Sequence, residues 1–147
     1  MYILGINAYH GDASACLVKD GVLLHAVEEE RFSRLKHSAG FPKESIRFCL
    51  SAEQISLNDI SYVAINRNPK AKIFNKIKYL LFNNFDLNAL INRIKNFRKI
   101  SNIENDFKSC FGSDLTKKII YTDHHLCHVA SSVFSSNFNN CNYISID

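Results

Sequence analysis

The opening of the chain leaves little freedom in how it can fold. YILGINA (residues 2–8), ASACLVK (13–19) and VLLHAVE (22–28) are three strand-like runs separated by only four and two residues. Connections this short join antiparallel neighbours, because a parallel crossover needs about a dozen residues or more. The second connection is Asp20-Gly21, a pair suited to a two-residue hairpin because both residues tolerate positive φ. A three-strand meander is therefore expected to begin the protein.

The rest of the chain alternates element types. EEERFSRLKHSAGF is a polar loop, and a helix is expected from near Pro42 with Ile46, Cys49 and Leu50 on one face. Proline suits the first helical turn, where its missing N–H has no intrahelical partner anyway. ISYVAIN (60–66) reads as a fourth strand by its β-branched and aromatic content. Residues 70–110 carry Ile, Leu and Phe at mixed three and four spacing, which predicts amphipathic helices parted at NNFDLN. KIIYT (118–122) predicts a fifth strand, Asp123 an N-cap, and the alternating residues 142–147 a sixth strand that stops on Asp147. The expected fold class is α/β around a mixed sheet, and a strand that stops without a turn suggests truncation.

Chemistry concentrates in three places. YTDHHLCHVASS puts His124 and His128 four apart on the expected helix, so that both project from one face and can chelate one divalent ion. A third ligand is needed; Asp147 is the best candidate and Cys127 an alternative, and a His-His-carboxylate set suits iron or another catalytic divalent metal. His125 falls on another face as a bystander or substrate contact. The same histidines could instead be cap or surface residues of an exposed helix start. The loop NAYHGDASA offers His10, Asp12 and Ser14 beside Gly11, a set able to hold an anionic ligand or simply to make a turn. EEERFSRLKH follows a strand end, with Arg34, Lys36 and His37 able to meet a phosphate or carboxylate, or to form a surface ion-pair cluster.

Composition narrows the classes. With 46% hydrophobic and 22% charged residues the chain is globular in character, and no apolar run approaches a membrane span or a secretory signal. A cytoplasmic setting is expected, and the five scattered cysteines are read as reduced thiols. Between Arg67 and Lys99 nine Lys or Arg face the single acid Asp86. This stripe is either a solvated face or a surface for RNA or a partner protein. No aromatic nucleic-acid motif accompanies it, so nucleic acid ranks low among the expected partners. A metal-dependent hydrolase on the same histidines would need a general base, for which Glu28, Glu29 and Glu30 are the clustered acids.

Taken together, ILGINAYHGDASACLVKDG, EEERFSRLKHSAGFPKESIRFCL, DHHLCHVASSVFSS and YISID resemble, in order and in register, the N-terminal part of the O-carbamoyltransferases of the nodulation and antibiotic-biosynthesis type. Only about residues 67–115 carry no matching motif. The resemblance implies an N-terminal half of the actin, sugar kinase and Hsp70 (ribonuclease H-like) fold, close to the tRNA threonylcarbamoyl-transfer proteins. It implies an enzyme that makes carbamoyl adenylate from carbamoyl phosphate and ATP in one domain and passes the carbamoyl group to a substrate hydroxyl in another. His124 and His128 match the family's helical metal pair and Asp147 the following carboxylate, with Fe(II) or another divalent metal as cofactor. His10, Asp12 and Lys36 are implied as catalytic residues, and Arg34, His37 and His125 as substrate contacts. Gly11 stands between His10 and Asp12, where many members have the two adjacent. Residues 1–147 are expected to form one carbamoyltransferase N-terminal domain, truncated at its C-terminus and inactive alone. The expected partners are a small-molecule acceptor, a sugar or natural-product hydroxyl, together with a second copy or a missing C-terminal part.

Overall fold

The computed structural model describes residues 1–68, 102–138 and 140–146. The expected helices before Asn102, most of the basic 67–99 stripe and Asp147 lie outside the described residues.

The meander forms as expected. β1 (Tyr2–Asn7) pairs antiparallel with β2 (Ser14–Lys19), and β2 pairs antiparallel with β3 (Val22–Glu28). Asp20 and Gly21 hold φ of 50° and 86°, the doubly positive conformation whose twist matches that of the flanking strands. The N-terminal amine pairs with the Asp20 carboxylate and fastens the start of β1 to this turn. On its other edge β1 pairs in parallel with β4 (Ile60–Ile65), which pairs in parallel with β5 (Ile119–Tyr121). The result is one mixed sheet of order β3-β2-β1-β4-β5.

The remaining elements are helical. α1 (Glu30–Ser33) is a single turn inside the segment expected to be loop. α2 (Lys43–Ala52) follows Pro42, α3 (Ile103–Phe111) precedes β5, and α4 (His124–Phe134) follows it. Among the described residues, no helix is long and apolar enough to cross a membrane.

The core lies between one face of the sheet and helices α2 and α3. Leu4, Leu17, Val63 and Ile65 point from the strands onto Ile46 and Cys49 of α2 and Ile103 and Phe107 of α3, all essentially inaccessible to solvent. Phe107 also meets Phe41 edge to face at 5.1 Å between ring centroids, the arrangement that aligns the ring quadrupoles. On the opposite face the ladder is tight at one point. Gly5 sits directly across from Cys16, and a Cβ there would lie 2.6 Å from the Cys16 sulfur.

α2 starts on a proline, which has no side-chain acceptor, and its cap comes from elsewhere. Glu29, at the end of β3, accepts hydrogen bonds from Glu44 N (3.1 Å), Ser45 N (2.8 Å) and Ser45 Oγ (2.8 Å). A carboxylate at a helix N-terminus satisfies free donors and complements the helix dipole. Ser45 is fully buried, so its polar atoms depend on this contact.

The expected sixth strand does not form over residues 142–146, which have no ladder partner among the described residues. Alternation specifies a strand only where one face is buried. Tyr143, Ile144 and Ile146 are instead exposed, as are Phe134 and Phe138 just before them.

Two substitutions test this packing. Glu29→Ala is expected to cost about 2 kcal/mol, the sum of a lost cap and a stranded buried hydroxyl, read as a lower urea midpoint with unchanged slope. Phe107→Ala is expected to cost about 3 to 5 kcal/mol, enough to leave much of the chain unfolded without denaturant.

Candidate functional site

Because β1, β4 and β5 are parallel, their carboxyl ends share one edge of the sheet, where ligands of open α/β sheets gather. Each apolar run ends there on a polar residue: Asn7, Asn66 and Thr122. Asn66 Nδ2 donates to Asn7 Oδ1 at 3.1 Å. Asn7 Nδ2 in turn donates to the carbonyls of Gly11 and Asp12 at 3.1 and 3.0 Å. The loop carrying His10, Gly11 and Asp12 is thereby tied to the ends of two strands. Thr122 donates to the Ile65 carbonyl from its backbone N–H (2.8 Å) and from its hydroxyl (2.9 Å). With that hydrogen engaged, the 3.0 Å contact between Thr122 Oγ1 and Cys127 Sγ takes its proton from the thiol. Cys127 is thus turned towards β5 and away from the histidine seam.

α4 begins on the expected cap. Asp123 is extended (φ −74°, ψ 138°) and its carboxylate accepts from the backbone N–H of His125 and Leu126. His124 and His128 follow on one face, their ring centroids 4.5 Å apart and their Nε2 atoms 3.1 Å apart. Two nitrogens bound at about 2.1 Å to adjacent corners of one divalent ion stand about 3.0 to 3.4 Å apart. The pair therefore fits a shared metal, and it equally fits one imidazole donating to the other. His10 reaches across from the first loop to a centroid distance of 6.0 Å from His124. His125 turns aside, its Nδ1 3.1 Å from Ser145 Oγ. Among the described residues no three His, Cys, Asp or Glu side chains converge as a complete metal site; the expected third ligand, Asp147, is not among them.

A second loop closes against the first. Hydrogen bonds run from Ala13 N to Ser38 O (2.9 Å) and from Tyr9 N to Gly40 O (3.0 Å). Across this seam His37 Nδ1 lies 2.9 Å from Asp12 Oδ1. On the other side of the first loop the Tyr9 hydroxyl donates to Asp106 Oδ2 of α3 at 2.7 Å. Burial, and then the Asp106 carboxylate, push the Tyr9 hydroxyl well above its ordinary range. Burial also raises the Asp106 carboxyl, opposed by the Tyr9 hydrogen bond. The structure thus gathers His10, Asp12, His37, His124 and His128 at one end of the sheet. Arg34 and Lys36 are exposed on the second loop, Arg34 closing α1 in the left-handed conformation.

Of the acids expected to serve a hydrolase, Glu29 is held in another role, at the start of α2. Glu30 lies in the single turn of α1. Glu28 borders an open groove of about 720 Å³ on the sheet face away from the core, with Gly5, Cys16 and Ala64 among its lining and Cys127 and Ser131 of α4 beside them. Burial raises the Cys16 thiol.

The residues that hold the site together were not singled out from the sequence. Asn7, Asn66 and Thr122 share one signal, a polar residue closing an apolar strand run in GIN, AIN and IYT. The partnership of Tyr9 with Asp106, 97 positions apart, has no local signal.

Residues 2–145 match the family described as Carbamoyltransferase N-terminus. An uncharacterized protein of Synechocystis is 33% identical over 99% of this chain and 25% of its own length. The nodulation protein NolNO of Sinorhizobium fredii is 31% identical over 96% of this chain and 20% of its own length. An uncharacterized protein of Methanocaldococcus jannaschii is 33% identical over 66% of this chain and 20% of its own. The chain thus spans about a fifth to a quarter of the length of these relatives. The match covers nearly every residue, including both loops and the histidine helix, and the chain belongs to the Carbamoyltransferase N-terminus family.

Proposed function

We propose that this chain is the carbamoyl-transfer portion of an O-carbamoyltransferase, acting on a carbamoyl adenylate made from carbamoyl phosphate and ATP and delivering the carbamoyl group to the hydroxyl of a small-molecule acceptor. The observation that carries this reading is the His124–His128 pair. Its nitrogens are 3.1 Å apart at the carboxyl end of parallel strands, in a chain of the carbamoyltransferase family. The order β3-β2-β1-β4-β5 with three antiparallel and three parallel strands sharing β1 supports the ribonuclease H-like half of an actin, sugar kinase and Hsp70 fold. A sugar or natural-product alcohol is the proposed acceptor, and the setting is cytoplasmic.

His124 and His128 would hold Fe(II) or another divalent metal, with Asp147 as the carboxylate ligand. Such an ion supplies Lewis-acid polarisation of a bound carbonyl oxygen. The chain's own residues do the positioning. Asn7 fixes the backbone of the His10 loop through two hydrogen bonds, placing His10 beside His124 where a bound donor would meet both. Arg34 and Lys36 are the cations of the second loop, suited to the phosphate of an adenylate. His125, held to Ser145, is proposed as an acceptor contact.

The test is the metal content of protein purified without oxygen, compared with a His124→Ala/His128→Ala double variant, followed by calorimetric titration with Fe(II). The expected result is about one iron per wild-type chain and none in the variant, since two helical ligands dominate such a site. Equal iron in both would overturn the metal assignment.

A further inference from the structure

Among the described residues six non-glycine residues hold positive φ, and four of them fall in the two abutting loops: Tyr9 (57°), Asp12 (61°), Arg34 (59°) and His37 (54°). Left-handed backbone is unfavourable for such residues, and it persists where surrounding contacts over-determine it, as they do at functional sites. Here the contacts are the Asn7 amide under Asp12 and the hydrogen bonds from Ala13 to Ser38 and from Tyr9 to Gly40. Together they bring Asp12 Oδ1 to 2.9 Å from His37 Nδ1.

The chemistry of this contact fixes the tautomer. An ionised carboxylate can only accept a hydrogen bond, so Nδ1 carries the hydrogen. In the neutral ring Nε2 then holds the lone pair. The His37 side chain is 82% exposed, which leaves that nitrogen open to an incoming molecule. Several other groups near this edge are engaged: the Nε2 atoms of His124 and His128 face each other, Asp106 accepts from Tyr9, and Glu29 caps α2, while the His10 ring lies against that of His124.

The geometry points to a His37–Asp12 dyad in which His37 is the general base of carbamoyl transfer and Asp12 its positioning residue. This rests on the transfer reading above. As the acceptor oxygen forms its bond to the carbamoyl carbon, its O–H proton passes to His37 Nε2. The bond from that carbon to the adenylate phosphate oxygen breaks with its electron pair, and AMP departs. The imidazolium, stabilised by Asp12, then returns its proton to solvent. Asp12 shares its loop with His10, whose ring lies 6.0 Å from that of His124, so the dyad is on the loop that reaches the histidine helix.

Two readouts test the dyad. In this chain, proton–nitrogen correlation spectra are expected to show His37 as the Nδ1–H tautomer, and Asp12→Asn to shift it towards the other tautomer; a wild-type ring carrying its hydrogen on Nε2 would overturn the proposal. In a complete carbamoyltransferase carrying this segment, His37→Ala is expected to lower the transfer rate about 10² to 10⁴-fold while adenylate formation continues. Added imidazole is expected to restore at least about tenfold of that loss, as it replaces a missing base but not a missing structural contact. Transfer by His37→Ala within about threefold of wild type would remove His37 from catalysis, against the loss typical of a general base. Adenylate formation with no carbamoylated product from the wild type would sink the transfer reading, and the dyad's role with it.

Discussion

β1 has a different kind of neighbour on each edge, antiparallel β2 on one and parallel β4 on the other, and this asymmetry organises the molecule. The antiparallel side can turn back within a few residues, so it supplies a tight loop at the carboxyl end of β1. The parallel side must cross over, so it brings helices to the sheet and carries the ends of β4 and β5 to the same edge as that loop. A loop and a helix start therefore meet at one place. Asn7, the last residue of β1, ties that loop to the end of β4, accepting from Asn66 with one amide atom and donating to the loop carbonyls with the other.

The contacts at this edge differ in reach. The Asp123 cap and the histidine pair are local, within one turn of helix. The Asn7, Thr122 and Tyr9 contacts span tens of residues and set where the local pieces stand relative to one another. A charge-assisted contact between His37 and Asp12 bridges the two loops, and both of its side chains are exposed.

What was legible in the sequence follows that division. The meander, the Asp20-Gly21 turn, the Asp123 cap and the one-face placement of His124 and His128 depend on residues within a turn or two of each other, where backbone preference and side-chain period speak directly. Family resemblance drew the loops into the same site, and the structure brings Asp12 to His37. The cap on α2 was hidden because its acceptor sits 15 and 16 positions before its donors, so the acids at 28–30 looked like a charge cluster available for chemistry. The strand expected at 142–147 showed the opposite error: its alternation is real, but over residues 142–146 no neighbour buries one side. Periodicity records a capacity to be half-buried and cannot name what does the burying.

The close approach of Gly5 and Cys16 makes these two positions share a single allotment of space across the ladder. Enlarging position 5 while Cys16 stays drives an atom into sulfur, whereas shrinking position 16 first opens room for a methyl on the facing strand. Two changes that are together volume-neutral thus cost more in one order than in the other, and contacting residues of this kind are where additivity fails. For a lineage carrying this sheet, the smoother route is for the sulfur to go before the glycine grows, since in the other order the thiol must first swing aside.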